Sequence, residues 1–161
     1  MKDILDKLSS YNIFNNLLPG IVFVALAEPF LNRSFIQKDL LVGLFLYYFI
    51  GMVISRIGSL VVEPILKRTS FVRFVSYADF VDAAKADVKI DVLSEVNNMY
   101  RTLTALLLFL MALRGYEAIE ACLPTIRKAS PFMAVLSLLI LFLWSYRKQT
   151  SYITKRIEAN R

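Results

Sequence analysis

The feature that most limits how this chain can fold is a run of eighteen uncharged residues, Ala129 to Tyr146, which ends in the aromatics Trp144 and Tyr146. A hydrocarbon layer about 30 Å thick needs roughly 20 helical residues to cross it, whereas buried helices of soluble domains give runs of about 10–14. A second run, Leu40 to Ser55, is also free of charge, and its apolar character continues beyond Arg56 to Val62. Two further runs are weaker. Leu8 to Ala27 carries no charge, and its apolar part extends from Leu17 to Leu31 across Gly20 and the Glu28–Pro29 pair. Thr102 to Leu113 is short, but Tyr116, Ala118, Ile119, Ala121 and Cys122 prolong it past Arg114 and Glu117.

Composition agrees with this segregation. Hydrophobic residues make up 57% and charged residues 20%, and the mean hydropathy is +0.56; disorder needs low hydrophobicity. The expected fold is an all-α membrane protein that assembles as a homo-oligomer. Residues 1–161 form a single transmembrane domain with four spans, at about 17–31, 40–62, 102–122 and 129–146. An amphipathic cytoplasmic helix (1–16), a helical cytoplasmic region (67–101) and a basic cytoplasmic tail (147–161) complete it. Ala25-Leu26-Ala27 has the small-residue pattern of a signal-peptidase site. However, Asp3 and Asp6 offset Lys2 and Lys7, so the positive leading region of a signal peptide is missing and retention is expected.

Lys and Arg concentrate on the cytoplasmic side of multi-pass proteins. With four spans, one side carries Lys2, Lys7, Lys67, Arg68, Arg73, Lys85, Lys89, Arg101, Arg147, Lys148, Lys155, Arg156 and Arg161, thirteen in all. The other carries Arg33, Lys38, Arg114, Arg127 and Lys128, five in all. That asymmetry puts both termini on the cytoplasmic side of an inner membrane.

Catalysis has little to stand on. The chain has no His, and Cys122 is its single cysteine, which excludes a zinc site of three or four Cys and His ligands and any Ser–His or Cys–His nucleophile pair. No glycine-rich phosphate loop is present. The expectation is therefore a protein that is not an enzyme and has no metal or cofactor.

Arg56 demands an explanation. It sits ten residues before Leu66 in an otherwise apolar helix, and an Arg at mid-bilayer costs about 2.5–3.5 kcal/mol on insertion scales unless it faces protein or water. Gly51, Ser55 and Ser59 recur at four-residue spacing with Gly58 adjacent, a small-residue face that lets helices approach closely. Glu63, two turns on, and Glu28 are its candidate partners. The Glu28–Pro29 and Glu63–Pro64 pairs read as helix terminators, because proline removes a donor and disfavours helix in the residue before it. Ser76 followed by Asp79 reads as a helix start, and one long helix is expected to run from there into the third span. On it Asn97, Arg101 and Thr104 fall about a turn apart, a polar stripe entering the bilayer. Arg56, Glu63, Asn97, Arg101 and Thr104 are the candidate pore or interior-facing residues.

Lys67, Arg68 and Arg73 lie near Tyr77, and Arg147 and Lys148 lie near Trp144, Tyr146 and Tyr152. Attraction to anionic headgroups, about 1 kcal/mol per basic residue, accounts for such clusters, and so does an anionic ligand whose bases stack on the rings. These five basic residues are the candidate ligand-binding set.

The strings YNIFNNLLPG (Tyr11 to Gly20), GMVISRIGSL (Gly51 to Leu60) and SEVNNMYR (Ser94 to Arg101) resemble small four-span membrane proteins of bacterial anti-phage defence cassettes. The Hailong-type channel effector is the nearest of these, and the membrane subunit of Kiwa is more distant. The resemblance implies a homo-oligomeric ion channel, with a tetramer favoured, held shut by a single-stranded DNA oligomer that a partner nucleotidyltransferase makes. It gives the cytoplasmic cations a DNA or nucleotide ligand and the N-terminal helix a gating role. A non-conducting membrane anchor or sensor that recruits a cytoplasmic partner is the competing expectation, with membrane lipids as partners under either.

Overall fold

A computed structural model describes residues 13–31 and 33–159, and the described residues are helical with short connections. The proposed amphipathic helix over 1–16 lies mostly outside them. A π-helical turn, Ile13–Leu17, leads into α1, Leu18–Phe30. The second helix, α2, runs continuously over Leu40–Arg68. A short helix α3 follows, Tyr77–Ala86, and then α4, Lys89–Cys122, and α5, Pro124–Glu158. Among the described residues, three helices are long and apolar enough to cross a membrane: α2, α4 and, within α5, Ile126–Glu158; Asn15–Phe30 is a shorter apolar helix.

The caps follow from side chains. Asp39 accepts the Val42 N–H at 2.9 Å and starts α2, and the hydroxyl of Ser76 accepts the Asp79 N–H at 3.2 Å and starts α3. The expected single helix from Ser76 into the third span is instead broken. Asp87 adopts extended backbone, and its carboxylate accepts the Lys89 N–H at 2.9 Å. A short acidic side chain competes here with the helical carbonyls and opens a new helix. At about 1.5 Å per residue, the 34 residues of α4 are longer than a bilayer core is thick.

Proline placement differs between the two Glu–Pro pairs. Pro29 precedes the end of α1 by one residue, as a terminator should. Pro64 ends nothing: α2 continues through it to Arg68, after a π-helical turn at Gly58–Val62. There the Glu63 N–H reaches five residues back to the Gly58 carbonyl. Widening the turn by one residue absorbs the ring that would otherwise strike the preceding turn.

Glycine sets the closest helix approach. A Cβ on Gly20 would collide with the Tyr47 carbonyl oxygen, and one on Gly51 with the Asn16 carbonyl oxygen. The segment 13–30 therefore lies backbone to backbone against α2. Gly58 plays the same part against α4, where a Cβ would sit 3.2 Å from Ala105 Cβ and 3.3 Å from the Arg101 carbonyl. The apolar core comprises Phe23, Val24, Ala27 and Leu31 of the first segment, Ile54 and Val62 of α2, and Ala105, Leu106 and Leu110 of α4. The span of α5 is only 6% buried, against 22% for α2 and for α4, so α5 leans on the other helices rather than packing among them.

Candidate functional site

Buried polarity is not spread evenly along the helices. Phe23, Val24, Ala27, Leu31 and Leu110 fill the interior toward the Arg33 end, whereas the buried polar residues are Asn15 and Asn16, beside Gly51 near the middle of α2, and Ser55, Ser59, Glu63, Thr102 and Ser145, from there toward the Lys67 end. Glu63 is the centre of that end. It is 7% exposed and lies where three helices meet. Its carboxylate accepts from Arg101 Nη1 of α4 at 2.7 Å and from Lys67 Nζ of its own helix at 2.9 Å. Lys148 Nζ of α5 stands 3.8 Å away.

The π-helical turn explains why Lys148 comes here. In a regular helix the Ser59 carbonyl would accept from Glu63, but that N–H goes to Gly58. The residue five on from Ser59 is Pro64, which has no N–H. The carbonyl so released accepts from Lys148 Nζ at 2.6 Å, and the Ser59 hydroxyl accepts from it at 2.7 Å. A proline on one helix thus creates the acceptor that docks another. Tyr152 lies under the same ammonium, 5.6 Å from it, and stacks toward Tyr77 with ring centroids 6.0 Å apart. Lys67 lies 4.1 Å from the centre of the Phe74 ring.

Three cations against one carboxylate leave a surplus of positive charge, and two features add to it. Arg101 Nε is buried without a hydrogen-bond partner among the described residues. Arg56 is half-buried and forms no ion pair among them, yet lies near enough to Lys148 for the two charges to repel. The expected pairing of Arg56 with Glu63 is absent for a geometric reason. Seven residues of regular helix return a side chain to within about 20° of its starting face. The extra residue of the intervening π-helical turn rotates Glu63 by roughly 100° relative to Arg56. Glu28 lies at the other end of the bundle, where it accepts from the Ser34 hydroxyl at 3.5 Å.

The remaining candidates divide. Arg101 joins Glu63, but Asn97 and Thr104 are exposed, and the Thr104 hydroxyl donates to the Tyr100 carbonyl at 2.9 Å. Asn97, Arg101 and Thr104 therefore do not act as one interior stripe within a single copy. Gly51, Ser55, Gly58 and Ser59 are all buried, with Gly51 against the first segment, Gly58 against α4 and Ser59 engaged by Lys148. Of the basic set, Lys67 and Lys148 are turned inward to Glu63. Arg68, Arg73 and Arg147 are exposed and form no ion pair among the described residues.

Two interior residues escaped the sequence reading. Gly20, the partner of Gly51, is a single glycine in an apolar run, and its mate is far away in sequence. Asn15 is 1% exposed, with neither its amide nitrogen nor its amide oxygen bonded among the described residues. Its signal was the Asn15–Asn16 pair at the mouth of an apolar stretch.

Comparison with protein-family models, with curated proteins and with solved structures finds no match to this chain.

Proposed function

We propose that this chain is a subunit of a homo-oligomeric inner-membrane ion channel, or membrane-depolarising effector, with both termini in the cytoplasm and control by an anionic cytoplasmic ligand. In this reading 13–30 is a fourth, short span and the Glu63 end faces the cytoplasm. The observation that carries it is the uncompensated charge there. Arg56 lies twelve residues before Arg68, about 18 Å along the helix, and has no carboxylate among the described residues. A guanidinium at that depth is tolerated where it faces other protein or water, and neighbouring copies around a wet path supply both. Rings of cations select anions. The surplus around Arg101 and Lys148, with exposed Arg68, Arg73 and Arg147 nearby, supports a phosphate-bearing ligand, and the resemblance to anti-phage defence effectors makes that ligand a single-stranded DNA oligomer or nucleotide.

The test is ion flux through liposomes holding the purified chain. Wild type is expected to release anions, and Arg56→Ala to lower the flux by about tenfold or reverse its selectivity. No flux at any protein density, or an unchanged Arg56→Ala protein, overturns the channel reading.

One observation favours the competing role of a membrane anchor that recruits a partner protein. Phe71, Phe74 and Val75 stand exposed in the connection between α2 and α3, at 79%, 52% and 70%, and such an apolar patch beside Arg68 and Arg73 suits a protein or membrane surface. A flux-silent protein that retains a cytoplasmic partner through this connection would establish that role.

A further inference from the structure

We infer that the end of the bundle remote from Glu63 holds a phospholipid with a zwitterionic, amine-bearing headgroup. Between α2, α4 and α5 lies a trough of about 610 Å³ whose walls include Val53, Ile57, Phe109, Leu113, Met133 and Leu141. It exists because α5 meets the other helices near Phe142, whose ring lies 6.2 Å from that of Phe49, and at Lys148, while its earlier turns stand off. The trough runs along helices long enough to span a bilayer, so an acyl chain is the apolar filling at hand.

At the Arg33 end the trough opens into a second recess of about 190 Å³, lined by Arg33, Glu117, Glu120, Ala121 and Arg127. The two share Arg33 and Glu117. Arg33 pairs with Glu120 and lies 3.8 Å from Glu117, and Arg114 pairs with Glu117 at 3.2 Å. Arg127 is exposed and has no ion pair among the described residues. An apolar trough continuous with a recess that carries two cations and two carboxylates is the negative image of a zwitterionic amphiphile. Arg127, without an ion pair among the described residues, is the cation for the phosphate, and the paired carboxylates are the groups for the amine.

The hydroxyls in the trough point the same way. Elsewhere on α4 and α5, away from the trough, the hydroxyls of Thr102, Thr104, Ser145, Thr150 and Thr154 donate to carbonyls four residues back. The hydroxyls of Ser130 and Ser137, both on the trough wall, donate to nothing among the described residues. Ser137 is exposed and Ser130 half-buried, so both hydroxyls are open to a bound molecule, and the ester oxygens of a glycerolipid are acceptors of the right kind. This assignment does not depend on whether the protein conducts ions.

The experiment is native mass spectrometry of the full chain extracted with its lipid. It is followed by exchange against vesicles of phosphatidylethanolamine or phosphatidylglycerol. Wild type, and Val135→Phe on α5 outside the trough, are expected to keep one phosphatidylethanolamine. Ser137→Phe, which fills the trough, should lower retention at least tenfold, and Arg127→Ala should weaken it about tenfold, as loss of one bond to a charged group does. Arg127 is exposed, so that variant reads the site even if Ser137→Phe fails to fold. Retention unchanged in Arg127→Ala, preference for phosphatidylglycerol, or disulfide cross-linking of Ser137→Cys between copies would overturn the proposal, the last because a neighbouring helix would then fill the trough.

Discussion

Glu63 accepts from Arg101 and Lys67 and lies beside Lys148, so its neutralisation leaves three cations facing one another in a half-dry space. Removing one partner of a fully buried pair costs about 3–5 kcal/mol. The Lys67 side chain is 43% exposed, which lets water take up part of that loss, and Glu63→Gln is expected to destabilise the folded chain by about 2–3 kcal/mol. Lys67→Gln removes only the outermost cation and should cost about 0–1 kcal/mol, as exposed pairs do. Unfolding in a graded mixture of detergents compares the two; equal losses would mean that the carboxylate does not organise this end. The sequence marked Glu63 as a candidate interior-facing carboxylate but placed it at a helix end. Its partners were not, because a π-helical turn turns it away from Arg56, and Lys148 lies 89 residues from the carbonyl it docks on.

At the scale of elements, the contact between 13–30 and α2 rests on two glycines whose absent side chains admit the opposing backbone. Gly20→Ala or Gly51→Ala must push the helices apart, and overpacking of that kind costs about 1–3 kcal/mol, occasionally more. Gly115 in α4 has nothing within 4 Å of where a Cβ would stand. Gly115→Ala should therefore stabilise the helix by about 0.5–1 kcal/mol, since alanine is the better helix former. Thermal unfolding of the three variants in one detergent tests the contrast, and a stabilised Gly51→Ala protein would refute the close approach. The helices themselves were readable from run length and caps. The break at Asp87 was not, because Asp87 and Asp79 look alike in sequence and only one ends a helix. Pro64 misled for a related reason: a proline stops a helix unless the preceding turn widens to accommodate it.

For the whole molecule, the lone cysteine offers a test of orientation without any engineering. Cys122 is exposed at the end of α4, a helix of 34 residues that begins at Lys89, and α4 at about 1.5 Å per residue exceeds the bilayer core. If the Glu63 end faces the cytoplasm, a membrane-impermeant maleimide applied to intact spheroplasts should label Cys122. Labelling that appears only after lysis would reverse the topology and remove the cytoplasmic site of ligand control. The long apolar face of α5 is left open within one copy, since α5 holds to the rest of it at its Lys148 end and stands away from it along the trough.

Helical character and the capacity to cross a bilayer come from properties that act within a few residues: the length of an uncharged run, a capping Asp39 or Ser76, a cluster of Lys and Arg at one end. Such local terms are written along the chain and can be read from it directly. Which side chains meet is a different matter. The placement of Lys148 on Ser59, the seclusion of Arg101 with Glu63, the separation of Arg56 from Glu63 and the trough beneath α5 all depend on the phase of one widened turn and on the distance at which helices pack. Both arise from contacts among segments far apart in the chain, and no window of sequence contains them.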